Sequence, residues 1–213
     1  MEAQDARRNR VELLATLLLA VAAVATAWST YQGARWRGEQ VAETAKATAA
    51  RIESSEAATR AGQLTQIDIA TFTQWVDATV AGNAELAGFY EQRFREEFQT
   101  AFDAWQATQP LTNPDAPLTP FALREYKLAD ADRAARLNRE AGVRSDAASV
   151  ANKQADEYML AVVLFATALF FAGISGKLRG QLPRELLLGL GGAVWLGAAI
   201  WLATFPVSFT RTG

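Results

Sequence analysis

The chain has 213 residues, with 21 basic and 23 acidic side chains, no histidine and no cysteine. It therefore has no imidazole base, no thiol nucleophile, no disulfide and almost no route to a transition-metal site. Mean hydropathy is close to zero, yet the apolar residues gather toward the two ends, which predicts membrane segments flanking a polar domain.

The first apolar window, 11–29, follows the basic run Arg7, Arg8 and Arg10. At about 1.5 Å per residue it is long enough to cross roughly 30 Å of hydrocarbon. Residues 1–29 are read as a cytoplasmic amino end and the first transmembrane helix. Ala25-Thr26-Ala27 also fits a signal-peptide cleavage pattern, against which the apolar run carries on without a breaker into Trp28 and Tyr31. Trp28, Tyr31, Arg35 and Trp36 are the expected membrane-interface anchors: amphipathic rings place their apolar bodies in lipid, and arginines reach lipid phosphate.

Residues 30–157 are read as an extracytoplasmic helical domain. Between 30 and 156 stand 14 basic and 18 acidic residues, a balance that speaks against nucleic-acid binding. Alanine-rich stretches at 30–62 and 122–156 predict two stalk helices of matched length, with a cap at 63–121 turning near Gly82 and Asn83. An alternative layout runs the first helix unbroken to Val80. On the first stalk helix, Val41, Ala45, Ala49, Ile52 and Glu56 form a thin stripe at helical spacing. In the cap, Leu86, Tyr90, Phe94, Phe98, Phe102 and Trp105 fall along one slowly rotating face and are the expected core. Four of the six prolines lie in the loop 109–120, and Thr119 before Pro120 predicts a helix restart there.

The second and third transmembrane helices are expected at 158–176 and 186–205, joined by a cytoplasmic turn at 177–185 and followed by an extracytoplasmic tail, 206–213. Lys177, Arg179 and Arg184 in the turn match Arg7, Arg8 and Arg10 at the amino end, so both clusters fall on the cytoplasmic side of three crossings. Gly189, Gly192, Ala193 and Gly197 form a small-residue face suited to helix–helix packing, within the chain or between copies.

The remaining carboxylates are interleaved with arginine and lysine as on a solvated helix face, and no mid-membrane charge marks a coupled transporter. No catalytic, cofactor-binding or metal-binding residues are assigned, and no enzyme activity or cofactor is expected. "WSTYQGARWRGEQ" together with "YMLAVVLFATALFFAGIS" resembles a group of uncharacterised bacterial membrane proteins with a domain-of-unknown-function label. The matching residues are Trp28, Ser29, Tyr31, Gln32, Arg35, Trp36, Gly38, Glu39 and Gln40, then 169–175. That resemblance implies a bacterial inner membrane and supplies no mechanism.

The expected fold is all-α, with three transmembrane helices and a helical stalk and cap. The expected function is a membrane scaffold or interaction module, in contact with the lipid bilayer, self-associating, and able to take an extracytoplasmic protein partner. The alternatives are an oligomeric pore, for which Thr16, Thr26 and the glycines of the third helix are the first candidates, and a sensor acting through a partner.

Overall fold

The computed structural model describes residues 2–178 and 180–207, with side chains from residue 9 onward. The side chains of Arg7 and Arg8, all of Arg179, and the tail from 208 lie outside the described residues. Among those described there is no strand: the elements are α1 (Glu2–Val80), α2 (Ala84–Glu91), α3 (Glu96–Ala107), a 3-10 turn (Pro120–Ala122), α4 (Ala129–Ser175) and α5 (Gln181–Leu202). The chain is all-α, and α1, α4 and α5 are each long and apolar enough to cross a membrane. It divides into two compact units, Met1–Ala45 with Arg144–Gly213, and Lys46–Val143.

In the first unit, the amino-terminal part of α1 packs antiparallel to α4. Glu43 and Arg144 pair at 3.3 Å, and a Cβ added at Gly33 would lie 3.5 Å from Tyr158 Cβ and 3.6 Å from the Ala155 carbonyl. Ala15, Ala22 and Ser29 are buried at seven-residue spacing, as are Ala151, Tyr158, Phe165 and Ala172 on α4. Seven residues per two turns is the period of a coiled-coil seam, and small side chains let the backbones approach. α5 joins through Gly191, where a Cβ would meet the Ala168 carbonyl and Phe171 Cβ at 3.2 Å. Ala198 joins the cluster of Tyr158, Ala161, Phe165 and Phe205. α5 begins at Gln181 and ends at Leu202, several residues earlier at each end than the expected 186–205. Phe205 therefore leaves the helix and folds back onto Trp201 and Tyr158.

The second unit holds the rest of α1, then α2, α3, the proline loop and the start of α4. Here too the long helices are antiparallel: Ser54 Oγ donates to the Ala134 carbonyl at 2.8 Å, Glu53 faces Arg133, and Arg60 faces Asp130. The seam consists of Ala47, Ala50, Ala57 and Ala61 against Ala134 and Ala141. The stripe expected at Val41, Ala45, Ala49, Ile52 and Glu56 lies on the exposed face instead. At the close approach set by alanine there is no room for a β-branched side chain, so the bulkier residues turn outward.

α1 does not stop at Gly62, where the matched stalk was expected to end; it runs to Val80, as in the alternative layout. One glycine costs a helix only about 1 kcal/mol relative to alanine, and its neighbours are good helix formers. The turn at Gly82 is present, with φ +72°, and Asn83 caps α2 by accepting from the Leu86 amide at 3.0 Å. Thr119 makes no side-chain cap, and only one 3-10 turn forms at Pro120 before α4 starts at Ala129. The free amide of Ala129 donates instead to Glu97 Oε1 of α3, at 3.1 Å. From there α4 is unbroken through Asn138 and Gly142 to Ser175.

Candidate functional site

The second unit is organised around rings. Phe72 and Trp75 of α1 stack at 5.9 Å between centroids, and Phe98, Phe102 and Trp105 of α3 close on them largely edge to face. Such pairs contribute about 0.5–1.5 kcal/mol each beyond the area they bury. Of the expected cap core, Phe98, Phe102 and Trp105 are buried, and Tyr90 and Phe94 pack partly buried against them. Leu86 is not core: it is 40% exposed. The expected continuous helix face is also interrupted, because α2 ends at Glu91 and α3 begins at Glu96. Tyr90 and Phe94 thus reach the cluster from α2 and from the intervening turn.

Arg95 closes that turn at the N-cap of α3. Its backbone is extended (φ −67°, ψ 146°) at the start of α3, and its guanidinium bonds Asp68 Oδ2 at 2.9 Å and Glu97. Asp68 also accepts from the Tyr126 hydroxyl at 3.0 Å, while that hydroxyl lies 3.2 Å from Thr65 Oγ1. Burial raises the Asp68 carboxyl above its usual range, outweighing the hydrogen bond from Tyr126 and the charge of Arg95, and burial likewise raises the Tyr126 hydroxyl. The chain Tyr126–Asp68–Arg95–Glu97–Ala129 clasps α1, α3 and α4 together. The contacts of Asp68 Oδ2 are to the protein's own groups, whereas its Oδ1 is buried without a hydrogen-bond partner. None of these residues is picked out by sequence pattern; the available signal was Asp68 itself, a carboxylate at seven residues from the buried positions Ala61 and Trp75. Among the described residues no group of three or more carboxylates is placed to hold a metal ion.

Beside the rings lies a cleft of about 450 Å³ lined by Trp75, Thr79, Trp105, Pro110, Pro114 and Pro117. The Trp105 indole donates to the Pro117 carbonyl at 2.7 Å and ties the proline loop down over it. Around the cleft stand Leu118, 93% exposed, Val80, 81%, and Leu111, 76%.

In the first unit, Trp28 and Tyr31 are exposed, with ring centroids 6.1 Å apart. Trp36 packs inward against the Tyr158 cluster, and its indole donates to the Pro206 carbonyl at 3.3 Å. Tyr158 donates to the same carbonyl at 3.1 Å. Arg35 is half-buried, with an Nε that finds no partner. Gly189, Gly192 and Gly197 have open space where a Cβ would be, and Ala193 is exposed; the contact with α4 is made by Gly191. The expected small-residue face is thus left unused within the chain.

Together these features define a helical membrane protein carrying a folded helical unit with an aromatic core. No family model, no curated protein and no solved structure matches the chain.

Proposed function

We propose that the protein is a scaffold or interaction module of a bacterial inner membrane. Residues 46–143 form a domain on the outer face that docks a protein partner at the Trp75–Trp105 cleft, and α1, α4 and α5 provide the anchor. The observation that carries this reading is the cleft with its rim of exposed Leu111, Leu118 and Val80. The orientation is supported by Arg10, Lys177 and Arg184 flanking the spans on one side, since short basic segments are retained in the cytoplasm. Glu12 beside Arg184 at 3.6 Å, and Trp36 beside Pro206, support α1 and α5 running in the same direction across the bilayer. The sequence resemblance at residues 28–40 and 169–175 is the remaining support for the bacterial inner membrane.

A pore has less support. The hydroxyls of Thr16, Thr26 and Thr167 all donate to carbonyls of their own helix, at 2.8–2.9 Å.

A photoreactive benzoylphenylalanine at Leu118 tests the proposal in intact cells, with the same residue at exposed Arg139 as control. A discrete crosslinked protein from position 118 alone is expected. Equal patterns from both positions would remove the cleft as a docking site.

A further inference from the structure

In the first unit an open groove of about 500 Å³ runs between α1 and α5, lined by Leu14, Leu17, Val21, Leu188, Gly192 and Trp195 among others. It extends over about 12 Å of helix axis within two membrane-spanning windows. At one end, one turn before Leu188, stands Arg184, whose side chain is 13% exposed and whose Nε is buried without a partner. Its contact with Glu12 Oε1, at 3.6 Å, is longer than a hydrogen bond and leaves guanidinium donors for another acceptor. Arg10 lies one turn before Leu14 on α1, and Glu12 and Glu185 on the same two helices are the opposing charges.

From this juxtaposition we propose that the groove is a binding site for one anionic phospholipid: an acyl chain lies along Leu14–Val21 and Leu188–Trp195, and the phosphate sits at Arg184. The proposal rests on α1 and α5 crossing the membrane. An apolar chain is the form of matter available at that depth, and a buried guanidinium with spare donors at the groove's end selects a phosphate. A second copy of the chain fits less well. Copies inserted in the same direction meet at equal depth about an axis normal to the bilayer, which would bring Arg184 toward Arg184.

The test uses the full chain, purified in detergent and presented with equal amounts of dioleoylphosphatidylglycerol and dioleoylphosphatidylcholine, read by native mass spectrometry. A monomer retaining one phosphatidylglycerol in about fivefold preference is expected, the factor for one basic residue near a headgroup. Gly192→Leu fills the groove where open space surrounds the added side chain, and should abolish retention of either lipid. Arg184→Gln should keep a lipid bound but bring the two to near parity. Equal retention of both lipids by the unaltered chain would overturn the proposal, as would unchanged retention in a folded Gly192→Leu variant. A dimer dissolved by Gly192→Leu would assign the groove to a second copy. Recovery of the chain from cells without detergent would overturn the membrane reading itself, a different failure.

Discussion

Arg95 Nη1 donates to Asp68 Oδ2 at 2.9 Å, and of the two side chains only Asp68 is sealed from water, 1% exposed against 25% for the arginine. The carboxylate therefore bears the desolvation cost, while the guanidinium keeps part of its hydration. Removing Arg95 leaves a buried charge without its counter-ion, which costs about 3–5 kcal/mol in comparable pairs. Arg95→Ala should lower the thermal midpoint of the second unit strongly at neutral pH, and a shift of no more than a degree would show the pair to be idle.

The same group sets a pH dependence. A carboxyl whose folded value is raised above 3.8 binds its proton more tightly folded than unfolded. Its stabilising contribution is complete below the unfolded value and is lost as pH rises through the raised folded value. The penalty of Arg95→Ala should accordingly shrink as pH falls through that window, and Asp68→Asn should flatten the corresponding slope of the wild-type curve. Melting curves between pH 4 and pH 8 compare the three chains; identical slopes in wild type and Asp68→Asn would refute the assignment.

Tyr126→Phe removes a hydrogen bond to a buried carboxylate while leaving the ring against Phe98 and Phe121. A loss of about 1.5–3 kcal/mol is expected, the range for hydrogen bonds to charged groups. Hydrogen exchange should show it as earlier opening at Thr65–Asp68 and at the start of α4.

The seam and the outward stripe make opposite predictions for neighbouring positions. Ala57 is fully buried, so Ala57→Leu should cost about 1–3 kcal/mol by overpacking, whereas exposed Ile52→Ala should change stability by less than about 0.5 kcal/mol. The reverse order in thermal unfolding would return the contact to the Val41–Ile52 stripe.

On α5, Gly191→Leu should destabilise the first unit by a similar margin, because even a Cβ would lie 3.2 Å from the Ala168 carbonyl and from Phe171 Cβ. Gly189→Ala, with nothing near it, should be neutral within about 0.5 kcal/mol. Equal effects in detergent would mean that α5 packs by another face.

The helical class and the three apolar helices are legible in the amino-acid order, because hydrophobicity and helix propensity add up locally along the chain. That order also placed the Gly82–Asn83 turn and singled out Phe98, Phe102 and Trp105. It did not determine which face of α1 is buried. Val41 and Ile52 look like the contact until α4 comes within alanine distance, and then only the small face fits. Nor did it reveal the clasp: Asp68, Arg95 and Tyr126 are 27 and 31 residues apart along the chain. Arg95 of this group stands at the N-cap of α3, which begins at Glu96, and Glu97 beside it accepts from the Ala129 amide. Likewise Gly191, and not the Gly189–Gly197 face, meets α4, since small residues permit contact on several faces and the larger side chains around them decide which one closes. Such choices depend on the distance between two packed surfaces, and that distance is a property of the tertiary structure alone.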